Sequence, residues 1–352
     1  MRFTIVTPSF NQLDWLELCV ASVRDQVATK AKTGNLSLSA GRAEAVPEFS
    51  IEHIVQDAGT PGIEGFARRM GAAFCQDGKK VFSAQCTSWS PRRPVSSNLG
   101  SVDGESVGAD GGSVERKGYS LTIYSGKDEG MYDAINKGLR RATGDICAYL
   151  NCDEQYLPRT LRWVADYLSV SPKTEVLFGA AIVTRADGSY VCDRRVMVPT
   201  RWHTMVSGNL SIFTSSTFFR RKSVVERGLL FDPQWRVCGD AVWALRFLEA
   251  GLRMKATNKP LSAFAETGVN MSAVGNPLAA EEGLRLALSA PATARALKPG
   301  VLLAYRFRRW LSGAYALNPH NYAIYTVGDV RQRKRFEVNE PAFRWRTGVE
   351  AR

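Results

Sequence analysis

The sequence predicts an α/β fold built on an open, mostly parallel sheet with helices on both faces. Short apolar and β-branched runs, of which FTIVTP (Phe3–Pro8) is the first, have the length and composition of buried strands. A segment with apolar residues at helical spacing follows each run, and this alternation occurs four times. Strands that alternate with helices pair in parallel through right-handed crossovers, which cover both faces of the sheet.

The four strand and helix pairs follow one another in the first half of the chain. In the first predicted helix, Leu13, Leu16, Val20 and Val23 fall on one face. Gly144 is a candidate C-terminal stop for the third helix, and the fourth has proline in its first turn. The strands are FTIVTP, IEHIVQDA (51–58), LTIYS (121–125) and ICAYL (146–150), and the helices lie in NQLDWLELCVASVRDQ, GIEGFARRMGAAF, MYDAINKGLRRATG and PRTLRWVADYL.

The pattern changes after the fourth helix. TEVLFGAAIVTRADGSYVCDRRV has the character of a hairpin that turns at Asp187-Gly188, and mixed strand and helix segments follow it. Two stretches, about 28–50 and 87–117, are rich in Gly, Ser and Pro and poor in apolar residues. We interpret them as flexible insertions between core elements.

Composition excludes several classes of protein. No apolar run reaches the roughly 18 to 20 residues of a membrane span, and MRFTIVTPSF lacks the features of a signal peptide, so a cytoplasmic location is expected. The seven cysteines contain no CxxC pair, and the three histidines are not spaced to share a metal. A bound metal would therefore be held by oxygen ligands.

Polar residues follow all four predicted strands, at the edge where open α/β sheets bind ligands. They are TPSFN (7–11), Asp57, GKDEG (126–130) and NCDE (151–154). A single one of these could simply cap a helix or close a turn. Neither GxxxxGK[ST] nor GxGxxG is present to cradle phosphates. A divalent cation on Asp153 and Glu154, Mg²⁺ or Mn²⁺, would bridge to a diphosphate instead.

These phrases resemble family 2 glycosyltransferases of the GT-A fold, of the bacterial surface-polysaccharide type. The resemblance runs from Arg2 to about Ser272 through TPSFN, IEHIVQDAGT, KDEGMYDAINKGLRRATGD and YLNCDEQYLP, and DEGMYDAINKG is its most specific part. It implies a GT-A domain over 1–272, with a nucleotide-binding half (1–155) and an acceptor half (156–272). A basic, partly helical C-terminal extension would occupy 273–352.

The resemblance also assigns roles to individual residues, all around a nucleotide-sugar donor. Asp57 would contact the base, most often uracil, and Asp153 with Glu154 would hold the metal and the ribose. Asn151 stands in place of the first Asp of the family's DxD motif, and Glu154 in place of a common Asp. The nucleotide pocket would be formed by Thr7, Pro8, Ser9, Asn11, Asp57, Asp128, Gly130, Asn136, Lys137 and Asp153, with Tyr132 on the helix behind it.

An inverting transfer needs a carboxylate that takes the proton from an acceptor hydroxyl. The resemblance points to Asp240, in RVCGDAVWALRFLEAG, as this base. Asp240 is equally placed to be the N-cap of the helix that follows, and the two roles are compatible. Arg220 and Arg221 are candidates for a diphosphate contact or for plain exposed charge, and Trp243 is expected in the core.

The C-terminal region carries most of the excess positive charge. The net charge is +12, and the last 58 residues contain 12 Lys or Arg against 4 Asp or Glu. AYRFRRWLSGAYAL (304–317) interleaves arginines with aromatic and aliphatic residues, and RQRKRF (331–336) adds a charge run. No nucleic-acid module accompanies them, so we expect no nucleic-acid partner. Contact with anionic lipid at the inner face of the plasma membrane and a simply solvated helix face both remain open.

Together these observations predict an inverting, metal-dependent glycosyltransferase. It would move a sugar from a nucleotide-diphosphate donor, most simply a UDP-sugar, to a hydroxyl of a glycan or lipid-linked acceptor in surface polysaccharide synthesis. The alternative is a non-catalytic protein of the same fold that binds a sugar nucleotide or a membrane surface. A sugar-phosphate nucleotidyltransferase is disfavoured because no Gly-rich basic loop follows the first strand.

Overall fold

The structure is a computed structural model that describes residues 1–27, 49–84, 118–208, 210–268, 270 and 276–343. Nearly all of the two predicted insertions lies outside the described residues. All four predicted strands and the helices that follow them are confirmed, which establishes the α/β architecture. These elements are β1 (Arg2–Ser9), α1 (Leu13–Arg24), β2 (Ser50–Asp57), α2 (Ile63–Met70), β3 (Ala73–Gln76), β4 (Lys79–Phe82), β5 (Tyr119–Ser125), α3 (Met131–Arg141), β6 (Ile146–Tyr149), β7 (Glu154–Tyr156) and α4 (Thr160–Val170).

The second half adds antiparallel strands and a group of helices. The predicted hairpin is present and turns at Gly188, whose φ of 88° suits glycine. A short 3₁₀ turn, Thr214–Ser216, precedes β10. The remaining elements are β8 (Val176–Arg185), β9 (Tyr190–Arg194), α5 (Arg201–Val206), β10 (Thr217–Arg220), α6 (Arg221–Val224), α7 (Gly239–Glu249), β11 (Met254–Glu266), α8 (Pro277–Leu288), α9 (Ala292–Ala296), α10 (Lys298–Leu311), β12 (His320–Thr326) and β13 (Asp329–Val338).

Within the described ranges, eleven strands form one mixed sheet in the order β4-β3-β5-β2-β1-β6-β10-β8-β11-β7, with β9 paired to β8. The run β3-β5-β2-β1-β6 is parallel throughout. β10 then pairs antiparallel to both β6 and β8. The sheet is therefore parallel from β3 to β6, with β4 antiparallel at one edge, and mixed beyond β6.

The sequence pattern missed three short strands. The segment GAAF was predicted as the end of the second helix, but α2 stops at Gly71, which has a φ of 64°. The chain then forms the β3–β4 hairpin, which turns at Asp77 and Gly78 with positive φ. Likewise β7, which contains Glu154 and pairs antiparallel with β11, was not predicted. A strand of three or four residues is too short for an alternating pattern to identify it.

The C-terminal region is more than a helical extension. Beside α8, α9 and α10 it contains the two-stranded hairpin β12–β13. Arg333 of this hairpin is buried against α1, where its guanidinium donates to both oxygens of Asp25 (2.6 and 2.8 Å). Tyr325 exchanges two hydrogen bonds with Gln155 of β7. These contacts join the hairpin to the first helix and to the strand of the NCDE segment.

Candidate functional site

The carboxyl ends of four parallel strands meet at one edge of the sheet, as the sequence predicted. Ser9 of β1 is level with Asp57 of β2, and Asp57 is level with Ser125 of β5. On the other side of β1, Val6 pairs with Tyr149, the last residue of β6. Strand register therefore brings the loops after β1, β2, β5 and β6 together.

At the end of β1, Thr7 and Pro8 of the TPSFN segment are hydrogen bonded to buried side chains. The hydroxyl of Thr7 is fully buried and hydrogen bonds to Nε2 of His53 at 2.9 Å. The carbonyl oxygen of Pro8 accepts a hydrogen bond from the Cys152 thiol at 3.2 Å. Ser9 is also buried, whereas Asn11 is exposed and adopts a left-handed φ of 53°. Within this segment, Phe10 and Asn11 present their side chains to solvent.

Asp57 shapes the loop that follows β2. Its carboxylate is fully buried and accepts hydrogen bonds from the backbone N–H groups of Gly59 and Thr60, both at 2.8 Å. The hydroxyls of Thr60 (2.6 Å) and Ser125 (3.3 Å) also donate to it. Thr60 in turn accepts a hydrogen bond from the N–H of Asn11. Asp57 thus ties the ends of β1, β2 and β5 into one rim.

The loop after β5 leads into the N-terminus of α3. Asp128 accepts a hydrogen bond from the N–H of Gly130 at 3.0 Å, and burial raises the pKa of its carboxyl. Gly130 has a φ of 121°, and a Cβ there would lie 2.5 Å from Nη1 of Arg236. Only glycine leaves space for this guanidinium. Arg236 was not singled out by sequence reasoning, because nothing in RVCGD distinguishes it from other exposed arginines.

Helix α3 is fixed by residues that the resemblance had placed behind the donor. Lys137 donates to the carbonyl oxygen of Lys127 at 2.9 Å and pairs with Asp133 at 2.8 Å. The buried Asn136 uses both ends of its amide on the backbone of Phe231, each at 2.9 Å. In this structure Lys137 orders the β5–α3 loop and Asn136 joins the two halves of the protein.

Asp240 lies beside α3, although it is far away in sequence. The Tyr132 hydroxyl donates to the carbonyl oxygen of Val237 at 2.9 Å and accepts from the N–H of Asp240 at 3.2 Å. Gly239 permits this approach, because a Cβ there would lie 2.5 Å from the Tyr132 ring. The pair of hydrogen bonds joins the start of α7 to the first turn of α3.

The alternative role predicted for Asp240, that of N-cap, is wrong. Helix α7 begins at Gly239 with Cys238 as its N-cap, so Asp240 lies inside the first turn and accepts from the N–H of Ala241 at 2.8 Å. Burial raises the pKa of Asp240 to about 6, the helix N–H groups oppose the shift, and the charge of Glu282 adds to it. This carboxyl is ionised at neutral pH and takes up a proton just below it.

Glu282 supports the loop that carries Arg236 and Asp240. From α8 its buried carboxylate accepts hydrogen bonds from three successive backbone N–H groups, those of Arg236 (2.6 Å), Val237 (2.9 Å) and Cys238 (2.7 Å). Sequence reasoning missed Glu282. The available signal was its spacing, because it lies four residues before the buried Leu286 on the same helix face.

The two carboxylates of NCDE differ in environment. Glu154 is 2% exposed, and its Oε2 accepts a hydrogen bond from the N–H of Asn151 at 2.7 Å. Burial, together with the charge of Asp153, raises the pKa of Glu154 to about 8. Asp153 is half-buried and accepts from Nδ2 of Asn270 at 2.6 Å, and burial raises its pKa to about 6. Glu154 holds the loop, and Asp153 is the more accessible of the two.

The two carboxylates predicted to hold a metal ion, Asp153 and Glu154, differ in how far they are already engaged by the loop. Within the described residues no group of three or more His, Cys, Asp and Glu side chains is arranged to hold a metal. Oδ1 of Asn151 is a buried oxygen that accepts no hydrogen bond. Mg²⁺ commonly uses one or two carboxylates and completes its shell with water and substrate phosphates. The donor set is therefore suited to an ion shared with a diphosphate, with Glu154 engaged elsewhere.

Two other groups of candidates lie apart from this edge. Arg220 is level with Ile146, the first residue of β6, and donates to the carbonyl oxygens of Thr174 and Leu168. Arg221 donates to the carbonyl oxygen of Gly144. The predicted diphosphate contact is therefore wrong for both arginines, because they lie at the opposite end of the strands. Trp243 is fully buried, as predicted.

One family matches the central part of the chain. Residues 117–229, about a third of the sequence, match the family described as Glycosyl transferase family 2. The match begins before β5 and contains α3, the NCDE segment and β10. No curated protein matches the sequence.

Solved structures share the fold at low sequence identity. S. aureus TarS 1-349 in complex with UDP-GlcNAc has a TM-score of 0.50 and 12% identity, over 82% of this chain and 65% of that one. The same protein in complex with UDP gives 0.46 and 12%, over 82% and 64%. The mannosyltransferase PcManGT from Pyrobaculum calidifontis in complex with GDP-Man and Mn²⁺ gives 0.43 and 14%, over 89% and 84%.

The chain thus spans a little under two thirds of the length of the TarS structures. At this identity the likeness establishes the fold alone. The structure has a GT-A-like α/β fold, and its segment 117–229 matches glycosyl transferase family 2.

Proposed function

We propose that this protein is an inverting glycosyltransferase that moves a hexosyl or hexosaminyl group from a nucleotide-diphosphate sugar to a hydroxyl group. The observation that carries the proposal is the junction of Asp240 with the N-terminus of α3. Through Tyr132, a carboxylate with a pKa of about 6 is held beside the edge where the ends of β1, β2, β5 and β6 meet. The family 2 match of residues 117–229 supports glycosyl transfer as the reaction.

Asp240 is the group that we assign as the general base. The acceptor hydroxyl attacks the anomeric carbon, its proton passes to the Asp240 carboxylate, and the bond from that carbon to the diphosphate oxygen breaks. Oδ1 of Asp240 already accepts from Ala241, so we assign Oδ2 to the proton. A base with a pKa just below neutral is available in its ionised form and still accepts a proton readily. Attack from the face opposite the diphosphate inverts the anomeric configuration.

The leaving diphosphate would meet positive groups at the start of α3. Arg236 lies over Gly130, at a helix N-terminus whose dipole favours an anion. Asp153 would hold the Mg²⁺ or Mn²⁺ ion, and Asn151 offers a second oxygen. Such an ion neutralises charge that develops on the diphosphate. The TarS complex with UDP-GlcNAc, of similar fold, supports a UDP-sugar as the first donor to test.

The acceptor that we propose is a glycan or a lipid-linked precursor in surface polysaccharide synthesis. The resemblance of DEGMYDAINKG to the surface-polysaccharide branch supports this choice. With a lipid-linked acceptor, the protein would work in the cytoplasm, at the inner face of the plasma membrane.

Replacing Asp240 with Asn tests the base. The variant keeps the shape and the Ala241 hydrogen bond but cannot take the proton, so transfer should fall by about a hundred-fold or more. UDP binding, measured by calorimetry, should stay within about two-fold of the wild type. Asp232→Asn is the matched control, because that carboxylate only caps a turn at Gln234. If Asp240→Asn retains more than about a tenth of the wild-type rate, Asp240 is not the base.

Replacing Asp153 with Asn tests the metal. With the wild type, Mn²⁺ should increase the thermal stabilisation that UDP gives, because the ion joins carboxylate and diphosphate. Asp153→Asn should remove the part of the thermal stabilisation that depends on Mn²⁺ and leave the part that UDP gives without the ion. Glu266→Gln, a substitution at the end of β11, serves as the control for lost charge. An equal response to Mn²⁺ in wild type and Asp153→Asn would contradict the assignment.

A further inference from the structure

Helix α10 presents its apolar residues to solvent. Leu303, Phe307, Trp310 and Leu311 are 68%, 57%, 64% and 64% exposed. At 100° per residue these four positions fall within one arc of the helix. The rings of Phe307 and Trp310 stack with their centroids 5.9 Å apart. We define these four side chains as the outer face of α10.

The opposite side of the helix is the one that packs on the protein. Tyr305 stacks on His203 of α5 with ring centroids 3.6 Å apart, and Val301 contacts the apolar cluster formed by α5, α7 and α8. Arg309, on the same side, lies over the ring of Tyr315. A helix of a globular protein normally turns its apolar arc inward. Helix α10 already packs on the protein through this side, and the larger of its two apolar arcs faces solvent.

The sequence around this helix carries only positive charge. From Gly283 to Gly328 the sequence contains six Lys or Arg and no Asp or Glu. Arg306 and Arg308 are exposed and lie on the two flanks of the outer face. The six basic residues are Arg285, Arg295, Lys298, Arg306, Arg308 and Arg309.

We propose that the outer face of α10 docks the protein on a membrane surface rich in anionic lipid. An apolar arc with aromatic side chains, flanked by arginines, is the arrangement that lies in the interface between lipid headgroups and acyl chains. Each basic residue near an anionic surface adds to the attraction. At 14 residues, α10 is about 21 Å long and lies along the surface. No helix in the described part of the chain is long and apolar enough to cross a membrane.

Electrostatic complementarity favours lipid over a second copy of this chain. Two outer faces brought together would place the arginines that flank one face near those of the other, and the stretch from Gly283 to Gly328 supplies no carboxylate to offset them. An anionic lipid surface supplies negative headgroups around the whole face. The inference is independent of the transfer chemistry, since binding to lipid needs neither donor nor acceptor.

Vesicle flotation with the full-length protein tests the proposal. Wild type should float with vesicles that contain phosphatidylglycerol and far less with pure phosphatidylcholine, and high salt should weaken its binding. The double variant F307S/W310S should lower the partition coefficient about ten-fold or more through loss of apolar insertion. R306E/R308E should lower it about ten-fold by reversing the flanking charge.

Matched variants keep the result interpretable. Val170→Ser removes an apolar side chain that is 81% exposed on α4, and K79E/K80E reverses two exposed lysines on β4. Both should bind vesicles as wild type does, and thermal unfolding should show that all variants are folded. Equal binding by wild type, F307S/W310S and R306E/R308E would overturn the proposal. So would a wild-type dimer, seen by light scattering, that F307S/W310S disperses and that does not bind vesicles.

Discussion

Asp240 illustrates how one residue can be useful to the reaction and costly to the fold. Burial raises its pKa from the usual 3.8 to about 6, so the folded protein binds this proton more tightly than the unfolded chain does. Between about pH 4 and pH 6 the unfolded chain has released the proton while the folded protein still holds it. Stability from this group is therefore lost as the pH rises through that window.

We expect Asp240→Asn to stabilise the protein at pH 7.5 and to leave its stability unchanged near pH 4. Asn carries no charge, so it avoids the cost of burying one, which for a shift of this size is roughly 1 to 3 kcal/mol. Urea denaturation of both proteins at the two pH values measures the difference. A variant that is less stable than the wild type at pH 7.5 would show that favourable interactions of the Asp240 carboxylate outweigh the free-energy cost of burying its charge.

The residues near the edge where β1, β2, β5 and β6 end fall into two groups. The sequence predicts the position of some of them and does not predict the position of the others. Asp57, Asp128 and Asp153 follow predicted strands, so strand pattern alone places them at one edge. Arg236 and Glu282 reach the same region through tertiary contacts between segments that are distant in the chain. No local pattern encodes such a meeting. Spacing on a helix face is the one clue, and it existed only for Glu282.

At the scale of elements, α8 positions the start of α7. The carboxylate of Glu282 accepts three backbone N–H groups just before Asp240, and its charge contributes to the raised pKa of Asp240. We therefore regard Glu282 as a positioning residue. It fixes the direction of the Arg236–Asp240 loop and influences when Asp240 is ionised.

Glu282→Gln should separate these two effects. One amide oxygen replaces two carboxylate oxygens, so the loop loosens, with kcat reduced about ten-fold and stability reduced by about 1 to 3 kcal/mol. Because the negative charge is removed, the pKa of Asp240 falls, and the acid limb of the pH–rate profile moves to lower pH. Glu281→Gln, on the exposed side of the same helix, is the control. It should change neither kcat and stability nor the acid limb of the pH–rate profile. An unshifted acid limb would leave Glu282 with a purely structural role.

Segments on the two sides of residue 272, where the resemblance implied the end of the GT-A domain, contact each other at several points. That boundary followed the extent of the resemblance, which reports neither where the following segment packs nor what it contacts. The hairpin β12–β13 lies against α1 and β7, and α8 reaches the loop of the proposed base. The parallel half of the sheet was predictable because each strand carries its own apolar pattern. The docking of the C-terminal region was not, because it rests on apolar clusters and polar contacts between segments that are distant in the chain.

Arg333 provides the sharpest test of that integration. Its side chain is 9% exposed, donates to both oxygens of Asp25 at the end of α1, and also donates to the carbonyl oxygens of Tyr156 and Ala323. Arg333→Ala removes the guanidinium from two carbonyl groups and from a partly buried carboxylate that keeps the hydrogen bond from the Tyr325 hydroxyl, which should cost about 1.5 to 3 kcal/mol of unfolding free energy. Arg331→Ala, which removes an exposed arginine from the same strand, should cost less than about 1 kcal/mol.

Urea denaturation measures both variants, and D25N/R333A completes the experiment. The double variant should recover part of the lost stability, because it no longer leaves a charge without its partner. Arg333→Ala should unfold in a single transition with the rest of the protein if the hairpin is part of the same cooperative unit. A separate early transition, with the remaining unfolding unchanged, would show instead that the C-terminal region folds independently of the GT-A-like sheet.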